Sequence, residues 1–399
     1  MRNGNCSGCG ACALLAPEIR MEVDSAGFLR PYLPPKELAN RTRGTRSAAT
    51  STFRTVCPGR IVTRRPERGT TEHPTFGSYV SAWQGWATDP VVRERGSSGG
   101  VLTALAAWLI ESGIVHEVTG VRADPVAPSR TVPVRIMSRD EALESSGSRY
   151  APVGAVSLAP SSPGRSIGVI AKPCEIAARR ALAREGEKGD SKDDPILLSF
   201  FCAGTPSQRA TDTLVRDLGV SLDTLTSMRY RGDGWPGYFS ATDADGATGR
   251  LTYEESWGQH LGRDLQDRCK ICVDGTGELS DIAVGDYWRA DEHGYPLFDN
   301  AEGNSVVIAR TARGHELLTL ALADGIIHLE PVSLDEVAAI QPLQARRIRE
   351  LIARLAGRAA AGKRIPRYRG FRLIARRDRR LSVLLRTVAG TFSRALKSR

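Results

Sequence analysis

The sequence predicts a mixed α/β (α+β) fold, with a ferredoxin-like iron–sulfur segment at its start and a basic helical tail at its end. Three observations carry this expectation. Between about residues 76 and 335, short β-like runs alternate with amphipathic helical stretches, the pattern of α/β and α+β domains. Near the start, Cys6, Cys9 and Cys12 fall at every third position in a loop of small residues. At the other end, residues 343–399 hold 18 Lys/Arg against 2 Asp/Glu, a net of +16 in a chain whose total is +10. The remaining residues hold 37 Lys/Arg against 43 Asp/Glu and are mildly acidic, at −6. Attraction to an anionic surface is therefore expected from the tail.

The elements follow in order. After the cysteine loop, FLRPYLP (28–34) reads as a short strand. Residues 38–56 are polar with little apolar pattern and read as a linker that ends at Cys57-Pro58. VLTALAAWLIESG (101–113) reads as a helix. Its apolar run, 101–110, is half the length of a membrane span and predicts a core helix. SIGVIA (166–171) and DPILLSFFC (194–202) read as strands, and the tail as two basic helices. The 399 residues, 41% hydrophobic and 25% charged, leave room for two or three domains. No apolar leader precedes Cys6. The eight cysteines are thus expected in a reducing, cytoplasmic setting, as metal or redox ligands and not as disulfides.

The cysteine spacing is specific. Thiolates two residues apart can each reach a different iron of a [4Fe–4S] cubane. The bacterial ferredoxin run continues to a fourth cysteine followed by proline, which ligates another cluster. Here Ala16 stands in that place, before Pro17, so no second cluster of that kind is expected beside the first. A distant Cys-Pro is available at Cys57-Pro58, which gives Cys6, Cys9, Cys12 and Cys57 as one ligand set. Structural zinc, the alternative, usually takes two Cys-x2-Cys pairs. Of the other four cysteines, Cys269 and Cys272 form such a pair. Cys174 follows a strand and a Lys-Pro turn at the start of a helix, where the helix dipole favours a thiolate. Cys202 ends a strand. Spacing alone leaves two readings of these four, a second cubane or small buried residues.

Gly96, Ser97, Ser98, Gly99 and Gly100 open the 101–113 helix. Small residues at a helix N-terminus can bind phosphate, although the stretch matches neither the Walker pattern nor the dinucleotide fingerprint. A flexible turn with a serine cap explains it equally well. Asp281 and Asp286 can orient a ring or move a proton, but read more simply as turn carboxylates. Arg149 suits a phosphate or carboxylate, or a solvated surface. The aromatic stretches GDGWPGYF (232–239) and SWGQH (256–260) can cover a flat ring, but core packing is their commoner use.

Together these stretches resemble the beta subunits of coenzyme F420 hydrogenases and dehydrogenases. The matching segments are CSGCGAC (6–12), GSSGGVLTAL (96–105), SGSRYAP (146–152), KPCEIAA (172–178) and FFCAGTPS (200–207). YRGDGWPG (230–237), YEESWG (253–258) and RCKICVDGTGELSDIAVGDYW (268–288) complete them, and the tail lies outside. The resemblance implies a flavin enzyme that binds FAD and one or two [4Fe–4S] clusters and passes electrons between clusters and an acceptor. In several members the acceptor is the deazaflavin F420. It makes Gly96–Gly100 an FAD contact, lined by Ser148, Arg149 and Tyr150, and makes Cys174, Cys202, Cys269 and Cys272 ligands of a second cluster.

The expected organisation is then an iron–sulfur segment with linker (1–72), an N-terminal flavin-binding domain (73–160), a C-terminal domain with the second cluster (161–335) and the basic tail (336–399). Two functions stay open: a flavin and iron–sulfur oxidoreductase acting on F420 or another small acceptor, and an electron conduit whose chemistry lies in a partner protein. A zinc-stapled regulatory protein is a third. The tail can rest peripherally on an anionic membrane or dock on an acidic partner. No recognised motif points to nucleic acid.

Overall fold

The computed structural model describes residues 3–35, 51–162, 164–186, 194–292, 297 and 302–397. Its centre is one eight-stranded sheet. In chain order the strands are β1 (Ser81–Ala87), β2 (Glu117–Ala123), β3 (Thr131–Ile136), β4 (Ile167–Ala171), β5 (Ile196–Phe200), β6 (Ile282–Tyr287), β7 (Asn304–Ala309) and β8 (Ile327–Pro331). Their spatial order is β8-β1-β7-β6-β5-β4-β2-β3. The inner four, β6, β5, β4 and β2, run parallel, and antiparallel strands flank them on both sides. Seven helices matter below: α1 (Ala11–Leu15), α2 (Val101–Glu111), α3 (Pro173–Gly186), α4 (Gln208–Asp217), α5 (Ala312–Ala323), α6 (Pro342–Ala360) and α7 (Leu381–Lys397).

Side chains alternate across the sheet and build a core on each face. Leu198, Ile282, Val284 and Val307 face α2 and α5, where Leu105, Leu109 and Leu318 are buried. Leu197, Val169 and Ala171 face the other way, onto α3 and α6, with Ile176, Ile348 and Leu351. The expected core helix is present as α2, and the two expected strands as β4 and β5. A smaller lobe packs α4 against the strands Leu225–Arg229, Phe239–Asp243 and Thr248–Leu251 around Tyr230, Phe239 and Leu261.

Strands from both sides of the 160/161 boundary share the one sheet, with β1 between β8 and β7 and β2 paired with β4. The tail, too, is built into the body. The strand Arg367–Arg369 pairs in parallel with Ile61–Thr63, and Phe371 and Leu355 enter the core on the α6 side. The buried Arg376 guanidinium reaches Glu278, which also pairs with Arg64. Of the expected linker, residues 38–50 lie outside the described residues. Residues 51–56 are helical and lead directly into Cys57.

Candidate functional site

The N-terminal cysteine loop closes on itself and on the body. Gly8 and Gly10 adopt left-handed conformations, at φ +74° and +89°. A Cβ on Gly10 would stand 2.6 Å from the Ser157 nitrogen, so only glycine lets the loop lie on residues 154–157. There the Val156 N–H donates to the Cys9 carbonyl, and Cys9 and Ala11 pack on Val156 and Ala178 of α3. Cys57 joins from its own turn. Burial pushes the Cys9 thiol well above its ordinary value, and the nearby sulfurs of Cys57, Cys6 and Cys12 add to the shift. Cys12 is pushed up to about 11 by burial and by Cys6 and Cys57. The spacing-derived set of four is therefore gathered in one place.

The other four cysteines gather as well, and the sheet explains how. β4 and β5 are adjacent and parallel, so both end at the same edge, where Cys174 and Cys202 follow them. The one-turn helix Cys269–Ile271 brings the Cys269/Cys272 pair to that edge, and the Cys202 N–H donates to the Gly275 carbonyl just beyond it. Burial, then the charge of Cys269, pushes the Cys202 thiol up to about 12. The dipole at the start of α3 was expected to favour a Cys174 thiolate. Burial overrides it and pushes that thiol well up, with the adjacent Glu175 carboxylate adding to the shift. Basic groups surround this set. Lys172 pairs with Glu175 at 3.0 Å, and Arg347 of α6 donates to the carbonyl of Cys202 at 2.6 Å and to that of Ala203.

Both sets fit a cubane in their donor chemistry. All eight cysteines are free, and each set offers four sulfurs that repel one another as thiolates unless a cation stands between them. Backbone N–H groups point at sulfur, from Gly8 to Cys6 at 3.4 Å and from Thr205 to Cys269 at 3.3 Å. Among the described residues no three His, Cys, Asp or Glu side chains converge on a point suited to a single metal ion. A cubane makes no such demand, since each thiolate binds a different iron.

The glycine-serine loop leads to Arg231, which no sequence motif singles out. Arg231 is buried, and its guanidinium donates to the Ser97 carbonyl, to Asp286 at 2.6 Å and to the Pro236 carbonyl at 2.8 Å. It lies 3.4 Å from the Tyr150 hydroxyl and 5.0 Å from the centre of the Tyr253 ring. Ser148 donates to Ser97 at 2.8 Å, and Ser98 bonds Ser305. Five stretches, GSSGG, SGSRYAP, YRGDGWPG, YEESWG and VGDYW, thus meet at one cation. Burial opposes the charge on Arg231, but Asp286 and the neighbouring tyrosines keep it protonated. Gly99 and Gly100 answer to the protein itself. A Cβ on either would come 2.6 Å from a backbone oxygen, of Gly85 or of Val92.

Three readings are corrected here. Arg149 is neither solvated nor turned to the loop. It donates to the carbonyls of Pro128, Arg130 and Met228 and to Thr131, and lies over the Tyr230 ring. Asp281 is no turn carboxylate. It is buried and accepts from Arg180, Arg313, Thr311 and the Leu197 N–H. Burial raises its pKa, but the two guanidinium groups outweigh this and hold the carboxyl below its usual range. Asp286 belongs to β6 and serves as the partner of Arg231. Of the aromatic residues, Trp257 packs on Tyr150 in the core of the small lobe. The buried Ser146 hydroxyl and Trp288 indole N–H flank this region in sequence and bond nothing among the described residues. They leave polar capacity for a ligand. A separate surface cleft of about 590 Å³, lined by Arg209, Arg216, His260 and Asp264 among others, belongs to neither cysteine set.

Two family models match the chain. Coenzyme F420 hydrogenase/dehydrogenase, beta subunit N-term, covers residues 82–159, and the C-terminus model of the same subunit covers 164–335. The chain belongs to this family. Among curated relatives, the coenzyme F420 hydrogenase subunit beta of Methanococcus voltae is 24% identical over 267 residues, 66% of this chain and 87% of that one. The F420-dependent formate dehydrogenase 1 subunit beta of Methanococcus maripaludis is 25% identical over 60% of this chain and 59% of its own length. The solved F420-reducing [NiFe] hydrogenase complex of Methanosarcina barkeri contains a chain of the same fold. Its TM-score is 0.52 and its identity 23%, covering 71% of this beta-subunit relative and 96% of that chain. The family models leave out residues 1–81, with the N-terminal cysteines, and the tail.

Proposed function

We propose that this beta-subunit relative is a flavin- and iron–sulfur-dependent oxidoreductase that carries electrons between two [4Fe–4S] clusters, FAD and coenzyme F420 or another small acceptor. The observation that carries the reading is the gathering of all eight cysteines into two sets of four. When bound, the clusters supply single-electron transfer and the flavin couples it to two-electron transfer. Cys6, Cys9, Cys12 and Cys57 hold one cluster, and Cys174, Cys202, Cys269 and Cys272 the other. Gly96–Gly100 and Ser148 offer hydroxyls and backbone groups to an anionic cofactor, and Arg231, paired with Asp286, fixes the Ser97 backbone that presents them. Tyr150 and Tyr253 wall the Arg231 charge off from water, and Arg149 braces the segment behind them. Eight cysteines grouped as ligand sets, and not as disulfides, support a cytoplasmic setting.

Anaerobic purification with iron, acid-labile sulfide and flavin quantification tests this. Iron and sulfide matching two four-iron clusters, with FAD, is the expected outcome. Zinc in their place would end the reading. A second reading, an electron conduit whose substrate chemistry lies in a partner, is favoured by the relatives being subunits by name. Reduction of F420 by the purified chain from an artificial donor supports the first. Turnover that appears only on adding a partner supports the second.

A further inference from the structure

One buried cation bonds the backbone beside both cysteine sets. Arg268 precedes Cys269 and is 2% exposed. One terminal nitrogen donates to the carbonyl of Pro58, the residue after Cys57, at 3.2 Å. The other donates at 3.2 Å to the carbonyl of Ile271, between Cys269 and Cys272. Its Nε bonds nothing among the described residues. Tyr368, from the tail strand Arg367–Arg369, covers it, with the guanidinium 5.6 Å from the ring centre and the phenol donating to the same Ile271 carbonyl.

We propose that Arg268 is an electrostatic bridge between the two cluster sites: its fork ties the Cys57 turn to the Cys269–Cys272 turn, and its charge sets the reduction potentials of both clusters together. The proposal rests on the two-cluster reading above. Each cluster gains negative charge on reduction, so a nearby cation in a low-dielectric interior favours the reduced form. Among the described residues, Lys172 pairs with Glu175 and Arg347 donates to the Cys202 and Ala203 carbonyls, so both serve the second set. A guanidinium suits the place, because it cannot lose its proton and its planar fork reaches two carbonyls at once. The tail acquires a role as well, since Tyr368 seals the bridge from water.

The test compares the full-length chain, purified anaerobically, with Arg268→Gln and Arg268→Lys. Iron and sulfide are measured first, then the potential of each cluster by EPR-monitored redox titration. Arg268→Gln is expected to keep both clusters and shift both signals to lower potential, with Arg268→Lys near wild type. Unchanged potentials in a fully loaded Arg268→Gln, or a shift in one cluster alone, would overturn the bridge and leave the two-cluster reading intact. Iron loss in Arg268→Gln that Arg268→Lys restores supports a need for the charge. Iron loss in both variants would mean a purely structural fork and overturn the proposal. Absence of iron from the wild type would instead refute the reading on which it rests.

Discussion

Asp281 sets the scale of single residues in this fold. Two guanidinium groups, a hydroxyl and a backbone N–H converge on it where the segment from Cys272 enters β6. Asp281→Asn leaves the charges of Arg180 and Arg313 without their counter-ion, and removing one member of a buried ion pair costs roughly 3–5 kcal/mol. A loss of that size is expected in urea unfolding at neutral pH. A loss under about 1 kcal/mol would show the cluster to be better solvated than its burial implies. From sequence alone Asp281 reads as a turn residue, because its partners stand 101 and 32 positions away and no local pattern announces them. The cysteines were legible for the opposite reason, since ligand spacing is local and strict. Cys269→Ser is accordingly expected to lose about half the iron and keep one reducible cluster. Full iron retention would return Cys269 and its neighbours to plain core packing.

At the scale of elements, α6 was legible as a helix and illegible as a part of the site. Its apolar residues recur at helical spacing, so Ile348, Leu351 and Leu355 turn inward. Nothing in that pattern says that Arg347 will meet the carbonyls of Cys202 and Ala203, or that Arg358 will reach the Asn3 carbonyl. Such charged hydrogen bonds are worth about 1.5–3 kcal/mol each. A cut before Leu343 removes Arg347, Tyr368 and Arg376 together, and with them contacts to the Cys202 carbonyl, the Ile271 carbonyl and Glu278. Truncation before Leu343 should therefore lower iron content, and truncation before Leu381 should preserve it. Equal iron in the two truncated chains would mean that α6 and the strand Arg367–Arg369 only cover the sites.

For the whole molecule, charge separates an acidic body from a +16 tail, whose ion pairs to the body include Arg358–Asp267 and Arg376–Glu278. Beside exposed arginines such as Arg346, Arg349, Arg372 and Arg377, the tail ends in α7. One side lies on α6, where the backbone passes so close that a Cβ on Gly357 would stand 2.6 Å from the Val388 carbonyl. The outward side carries Leu381, Leu385, Ala389, Phe392 and Leu396, spaced three and four apart, with Leu381 and Leu385 67% and 60% exposed. Arg386, Arg394 and Lys397 share the helix, which has no acidic residue. An apolar stripe beside unpaired cations matches the chemistry of an anionic lipid surface. No helix among the described residues is long and apolar enough to cross a membrane, so the contact would be peripheral. Each basic residue near such a surface contributes about 1 kcal/mol and acts only within a Debye length, about 10 Å at 0.1 M salt. Burying a leucine adds about 1.5–3 kcal/mol. Co-sedimentation with phosphatidylserine vesicles should then fall steeply with salt, and Leu385→Asp should weaken it at least tenfold without touching iron content. Equal sedimentation of wild type and Leu385→Asp at low salt would exclude the membrane and turn the stripe toward an acidic partner subunit.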